Sequence, residues 1–386
     1  MRSLNIGLVG YKFMGKAHSN AFSRLEMFFD CSAHVVKKAI CGRDGEWVAK
    51  AAAQFGWEGF ETSWEKLVSR SDIDVVDITT PSNAHKDIAI TAAANGKHIF
   101  CEKPLALTLA DAREMLEAAQ KNNVKHQIGF NYRFAPAVQL AKNMINSGKL
   151  GTIRHVRASY LQDFIIDPSF PLVWRLQKEV CGSGSLGDLG AHFIDLSRFL
   201  VGDIKTVMGM QKTFIKHRPK VERMTGLTAS AAADAAMGEV NVDDGTVFIA
   251  EFENGAFGVF EATRFANGHK NDLSIEINGD KGSIKFILER MNELQYFSSD
   301  DEPGLQGFRL IQATEGIHPY MHAWWPVGHV IGYEHTFVHE MYEFVESIAN
   351  DKPTSPDFYD GVKCSQVIEA VELSAQRKAA VDVDSL

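Results

Sequence analysis

The sequence predicts an α/β protein of two domains: a doubly wound parallel sheet, then an α/β domain with a large open, mainly antiparallel sheet. Three observations predict it. Short apolar runs alternate with helical stretches through the first third of the chain. A glycine-containing turn joins the first apolar run to the first helix. Beyond about Phe130 the apolar spacing changes to period two, as in strands with one covered face. The boundary is expected at Gly129, giving domains 1–129 and 130–386.

In chain order, Leu4 to Val9 reads as a strand, followed by the glycine turn and a helix from about Lys16. Val35 to Cys41 is the second strand and Glu46 to Phe55 a helix. Val75 to Thr79 is a strand, and Ala84 to Asn95 a helix that Gly96 closes. His98 to Cys101 is the next strand. Thr108 to Asn122 is a helix, its start marked by Thr108 with Asp111 three residues on. His126 to Phe130 completes the series. A helix over Ala135 to Ser147 then leads into period-two segments at Thr152–Tyr160, Thr246–Phe252, Gly258–Arg264 and Leu273–Asn278. Asn278-Gly279-Asp280-Lys281-Gly282 is a turn signal. Helical pattern returns from about His335 to Lys378.

Composition narrows the function. The chain has 386 residues and a formal charge of −9, with no basic run, which excludes a nucleic-acid binder. An acidic chain still binds an anionic dinucleotide through backbone N–H groups and a few placed cations. The five cysteines are widely spaced and odd in number, arguing against a disulfide scaffold or structural zinc. They are expected as reduced thiols in a cytoplasmic protein. No segment is long and uncharged enough to span a bilayer.

The chemistry is carried by three motifs. Gly7-Leu8-Val9-Gly10-Tyr11-Lys12-Phe13-Met14-Gly15 is close to the dinucleotide fingerprint, in which glycines allow a tight turn, close approach to the pyrophosphate, and helix–strand packing. Gly10 and Gly15 fit the first and third places, and Lys12 takes the second. An ordinary strand–turn–helix corner is the plainer reading, but the turn opens a βαβ series. Lys12 also adds a cation beside a helix N-terminus. The second strand tip offers Gly42 and Arg43, then Asp44. Arg43 suits the extra phosphate of NADP, whereas Asp44 suits the ribose of NAD, so both cofactors stay open. Expected cofactor contacts run over Gly10, Lys12, Phe13, Met14 and Gly15, then Gly42 and Arg43. They continue through Thr80, Pro81 and His85 to Glu102, Lys103 and Asn131.

Cys101-Glu102-Lys103-Pro104 follows a strand, at the end that lines the ligand crevice of an open sheet. A lysine there can hold or exchange the proton of a hydroxyl undergoing oxidation. A surface lysine on a loop is the competing reading. The third motif, Gly182 to Asp195, opens a helix from a glycine-rich loop. Asp188 and His192 lie four residues apart, on one helix face, as a proton-transfer pair requires. Taken alone, such a pair is more often structural.

Together, in this order and spacing, the motifs make the chain resemble the Gfo/Idh/MocA oxidoreductases, with similarity over essentially its whole length. The resemblance implies a Rossmann domain, a second domain whose open sheet serves oligomer contacts, and a catalytic group of Lys103, Asp188 and His192. It also implies a cis Lys103–Pro104 bond and a homodimer or homotetramer. The stretches His318–Pro326 and Gly332–Phe337 resemble the sugar-oxidising branch of levoglucosan and glycoside 3-dehydrogenases. Lys12 in place of a glycine is the departure.

The expected activity is therefore NAD(P)-dependent oxidation of a secondary hydroxyl of a sugar, glycoside or polyol, or the reverse. Tyr132, Arg133, Trp174, Arg175 and His335 are candidate substrate contacts beside Lys103, Asp188 and His192. Core, interface or capping roles compete for Trp174 and His335. The alternatives are a non-catalytic dinucleotide- or sugar-binding sensor and a His-dependent metal enzyme. For the latter, His318/His322 and His335/His339 have helical ligand spacing, but no zincin glutamate accompanies them. No metal is expected.

Overall fold

The computed structural model describes residues 2–221, 223–225, 228–232 and 234–386. The chain forms two compact units, residues 1–131 with 333–365, and residues 132–332 with 366–386. A single cut after residue 129 therefore does not separate them, because a late segment returns to the first unit.

In the first unit, strands β1 (Arg2–Val9), β2 (Ala33–Cys41), β3 (Gly59–Glu61), β4 (Val75–Ile78), β5 (His98–Glu102) and β6 (His126–Gly129) form one parallel sheet. Their order is β3-β2-β1-β4-β5-β6. Leu4, Ile6 and Leu8 of β1 and all of β4 are buried, as a sheet covered on both faces demands. Each apolar side chain among them contributes roughly 1.5–3 kcal/mol. Helices α1 (Phe13–Phe28), α2 (Gly45–Phe55), α3 (Trp64–Ser69), α4 (His85–Ala94) and α5 (Leu109–Lys121) connect the strands. Thr108 caps α5 by accepting the N–H of Asp111 at 3.1 Å. Helix α1 starts at Phe13 rather than near Lys16, because Gly10 turns the chain within three residues. The sheet order reverses between β1 and β4, so the crevice of such folds opens at their carboxyl ends.

Helix α9 (Tyr333–Ala349) explains the returning segment. It buries Phe337, Val338, Met341, Phe344 and Val345, and Tyr342 stacks on Phe29 at 4.5 Å while Phe344 meets Phe100 at 5.4 Å. The helical pattern expected from His335 to Lys378 is two helices, α9 and α10 (Phe358–Arg377), parted by a loop with a cis Ser355–Pro356 bond.

The second unit holds helices α6 (Pro136–Asn146), α7 (Lys178–Cys181) and α8 (Ala191–Leu200). Its strands begin with β7 (Ile153–Leu161) and β8 (Ile204–Lys212), then β13 (Gly245–Phe252), β14 (Phe257–Thr263), β15 (Asp272–Gly279), β16 (Gly282–Ile287), β17 (Glu293–Ser298), β18 (Arg309–Gln312) and β19 (Val381–Asp382). These nine form one sheet in the order β18-β17-β16-β15-β7-β14-β13-β8-β19, antiparallel except at β14–β7. Short pairs join β9 (His217–Pro219) to β12 (Met237–Glu239) and β10 (Arg223–Thr225) to β11 (Thr228–Ser230). Among the described residues no helix is long and apolar enough to cross a membrane.

Candidate active site

At the switch point, Gly10 has φ 111° and donates its N–H to Cys41 O at 2.9 Å. A Cβ on Gly10 would lie 2.6 Å from Thr79 Oγ1, and one on Gly15 would lie 2.0 Å from the Gly10 carbonyl. Both positions thus admit only glycine, the first for the turn and the third for close packing. Lys12, the residue preceding α1, has a negative φ of −79°, so it is not in the left-handed conformation that favours glycine. Among the described residues no side chain caps α1, and its first turn carries no acid. Its N–H groups are consequently offered to an anion, and the cradle fits a dinucleotide pyrophosphate. Lys12 and Phe13 are exposed beside it and Met14 is half-buried.

The tip of β2 presents Gly42 against Tyr11, whose ring leaves no space for a Cβ. Arg43 is exposed there. Asp44 caps α2, accepting the Trp47 N–H at 3.1 Å. Beyond β4, Pro81 is exposed, and the buried Thr80 Oγ1 has no hydrogen-bond partner among the described residues.

Three of the expected cofactor contacts, His85, Glu102 and Asn131, make hydrogen-bonding contacts within the protein. His85 is buried. Its Nε2 lies 2.9 Å from Thr80 O, and its Nδ1 lies 3.1 and 3.2 Å from the carbonyls of Pro104 and Leu105. Burial lowers its pKa, so it carries one N–H and donates either to the tip of β4 or to the loop after Lys103, where Lys103–Pro104 is cis. Glu102 is also buried. Its Oε1 lies 3.0 Å from His18 Nε2, while its Oε2 accepts the Lys103 N–H at 3.2 Å. The other His18 nitrogen lies 2.9 and 3.0 Å from the two Asp77 oxygens. Burial alone would lower the His18 pKa, but Asp77 and Glu102 outweigh it and push it up to about 10. Asn131 donates to Thr336 Oγ1 at 2.8 Å, anchoring the end of β6 to α9. His335, on α9 and buried, has its Nδ1 3.7 Å from Glu334.

The remaining candidates belong to the second unit. Asp188 and His192 were expected on one face of a regular helix. Instead Leu186–Gly190 forms a π-helical turn that runs into α8. Such wider turns cluster at functional sites. Asp188 Oδ2 lies 3.8 Å from Arg175 Nε and 4.0 Å from Arg264 Nη1. The His192 ring lies against Tyr132 (centroids 4.4 Å) and edge-on to Tyr160 (5.8 Å). The hydroxyls of those tyrosines lie 2.9 Å apart, so Tyr132 supports His192.

The Arg133 guanidinium is buried and bidentate on Asp195, at 2.8 and 2.5 Å. Trp174 packs against an apolar cluster that includes Ile165, Leu172, Leu176 and Val240, with the Arg175 guanidinium 4.4 Å from its ring centroid.

Sequence reasoning missed His18, Asp77, Asp243 and Arg264. Asp243 accepts the N–H groups of Gly184 (2.9 Å) and Leu186 (3.0 Å) and the hydroxyls of Ser185 and Thr246, holding the loop that presents Asp188. Arg264 is fully buried beside Asp188. A buried polar residue between apolar strand residues, as at Asp77 in β4, was the one available signal. Among the described residues no three His, Cys, Asp or Glu side chains converge as metal ligands. His318 and His329 are occupied by backbone groups, His318 Nδ1 by Glu315 N–H and His329 Nδ1 by Pro326 O.

The profile described as an oxidoreductase family with an NAD-binding Rossmann fold matches residues 4–130, and the Gfo/Idh/MocA C-terminal domain matches residues 138–285. Levoglucosan dehydrogenase of Pseudarthrobacter phenanthrenivorans is 42% identical over 389 residues, covering 100% of both chains. The chain belongs to the Gfo/Idh/MocA oxidoreductase family. Among solved structures of this family, an oxidoreductase domain protein from Kribbella flavida is 48% identical, with a TM-score of 0.95, over 99% of this chain and 100% of that one. Levoglucosan dehydrogenase in complex with NADH superimposes with a TM-score of 0.94 at 42% identity over 99% of each chain. It has also been solved with NADH and levoglucosan (TM-score 0.93, 41% identity, 99% of each chain). Gfo/Idh/MocA membership makes this chain an NAD-binding oxidoreductase of the sugar and polyol dehydrogenase class. It thereby favours catalysis over the sensor and metal-enzyme alternatives.

Proposed function

We propose that the protein oxidises a secondary hydroxyl of a levoglucosan-like anhydrosugar or related glycoside to a ketone, using NAD. The full-length likeness to a dehydrogenase solved with NADH and levoglucosan carries this reading. Gly10, Lys12, Phe13, Met14, Gly15, Gly42, Arg43, Thr80 and Pro81 would hold the dinucleotide. When bound, its nicotinamide supplies the hydride acceptor.

His192, steadied by Tyr132 and Tyr160 and assisted by Asp188, takes the hydroxyl proton. Lys103 stabilises the alkoxide charge as it develops. The C–H electron pair leaves with its hydrogen and a C=O bond forms, so the substrate loses one proton and one hydride. Arg175 and Trp174 pair a donor with a ring face, a combination that suits a sugar. Five buried cysteines, with no disulfide found among the described residues, accord with a cytoplasmic setting.

The test is absorbance of the reduced nicotinamide with NAD and NADP across levoglucosan, glycosides, free sugars and inositols. Turnover is expected with NAD and a glycoside or anhydrosugar. Lys103→Ala should lower kcat by about 10²–10⁴-fold and leave NADH affinity largely intact. Near-normal turnover in that variant would remove Lys103 from the mechanism, and turnover on inositols alone would overturn the substrate class.

A further inference from the structure

We propose that His18 is a positioning residue: doubly protonated, it clamps Asp77 to Glu102 and so fixes the main chain from which Lys103 projects. The inference rests on the reading of Lys103 given above.

Both His18 nitrogens face carboxylate oxygens, at 2.9–3.0 Å on the Asp77 side and 3.0 Å on the Glu102 side. A neutral imidazole has one N–H and would turn its lone pair toward the other carboxylate. An imidazolium donates to both. His18 and Asp77 are fully buried and Glu102 nearly so. Around the ring, β4 contributes Asp77 and β5 contributes Glu102, with Cys101 beside it. Phe100 and Phe337 pack on the imidazole. Helix α9, which carries Phe337, also holds the buried His339 and Glu340.

The cluster ends on Lys103. One Glu102 oxygen takes His18 and the other takes the Lys103 N–H. From the far side, His85 meets the carbonyls of Pro104 and Leu105. The Lys103 N–H is thus held by the same carboxylate that takes His18. A buried ionic cluster is rarely the most stabilising filling for a core, since apolar side chains of similar volume often serve as well or better. What it adds is fixed direction at the end of β5. The raised His18 pKa accords with the charge state.

The experiment compares His18→Gln, Glu102→Gln, the double variant and Lys103→Ala in the full-length protein. It reads kcat, KM, NADH affinity by fluorescence, and histidine side-chain ¹⁵N NMR. Each single variant should lose about 10–100-fold in kcat, because small displacements of a catalytic group cost that much. The double variant should be no worse than the weaker single one, with NADH affinity held. One imidazole should stay doubly protonated at about pH 8.5, well above the ordinary value of about 6.5, and vanish in His18→Gln.

Losses that add in the double variant, a His18→Gln kcat within about twofold of the parent, or no persistent imidazolium would each overturn the proposal. Should His18→Gln fail to fold, Glu102→Gln and the parent spectrum decide it. An active Lys103→Ala sinks the Lys103 reading. An inactive Lys103→Ala beside an active His18→Gln sinks only this one.

Discussion

A histidine between two carboxylates makes stability depend on pH in a direction that can be worked out. The folded protein holds the His18 proton more tightly than the unfolded chain, with a pKa pushed up to about 10 from an ordinary value of 6.5. Its stabilising contribution is therefore complete below about pH 6.5 and is lost as pH rises through about 10. Buried thiols act in the same sense at higher pH: burial pushes Cys31 and Cys41 up to about 12. Urea midpoints between pH 6.5 and 10 should thus fall in the parent and fall less steeply in His18→Gln. Equal slopes would show that His18 does not exchange its proton on unfolding.

Among the elements, the loop of residues 182–186 is held closely against Asp243. A Cβ on Gly184 would lie 2.0 Å from the Asp243 carbonyl oxygen, a backbone atom that cannot rotate away. Gly184→Ala should cost about 1–3 kcal/mol by overpacking and displace the π-helical turn bearing Asp188. Thermal melts and kcat check it, with Gly307→Ala, which meets nothing within 4 Å, as the neutral control. A Gly184→Ala protein with parental melting and turnover would show the loop to be slack.

For the molecule as a whole, the open sheet of the second unit has two unlike faces. Its inner positions are buried, while Met208, Met210, Val247, Ile249, Phe257 and Val259 are exposed on β8, β13 and β14. Cross-strand register aligns Met210 with Val247, and Met208 with Ile249 and Val259, so these residues form one patch. Contiguous apolar patches are costly in water and commonly serve association. Light scattering should show a dimer or tetramer, and Ile249→Glu should shift it to smaller species. A monomeric parent at micromolar concentration would refute the assignment.

The sequence by itself determined what short-range chemistry controls. Apolar runs and glycine turns were enough to read the parallel sheet of the first unit, the Gly10 and Gly15 places, the Thr108 cap and the change to alternating strands near residue 130. Each of those features depends on residues a few positions apart, whose periodicity survives in one dimension. Tertiary structure alone decided the rest. It joined His18 to Asp77 and Glu102 across 59 and 84 positions and returned α9 to the first unit. It also turned Arg133 inward onto Asp195, 62 positions away. A buried charge selects its partner only once the core has closed around it and excluded water, and no local pattern records that choice.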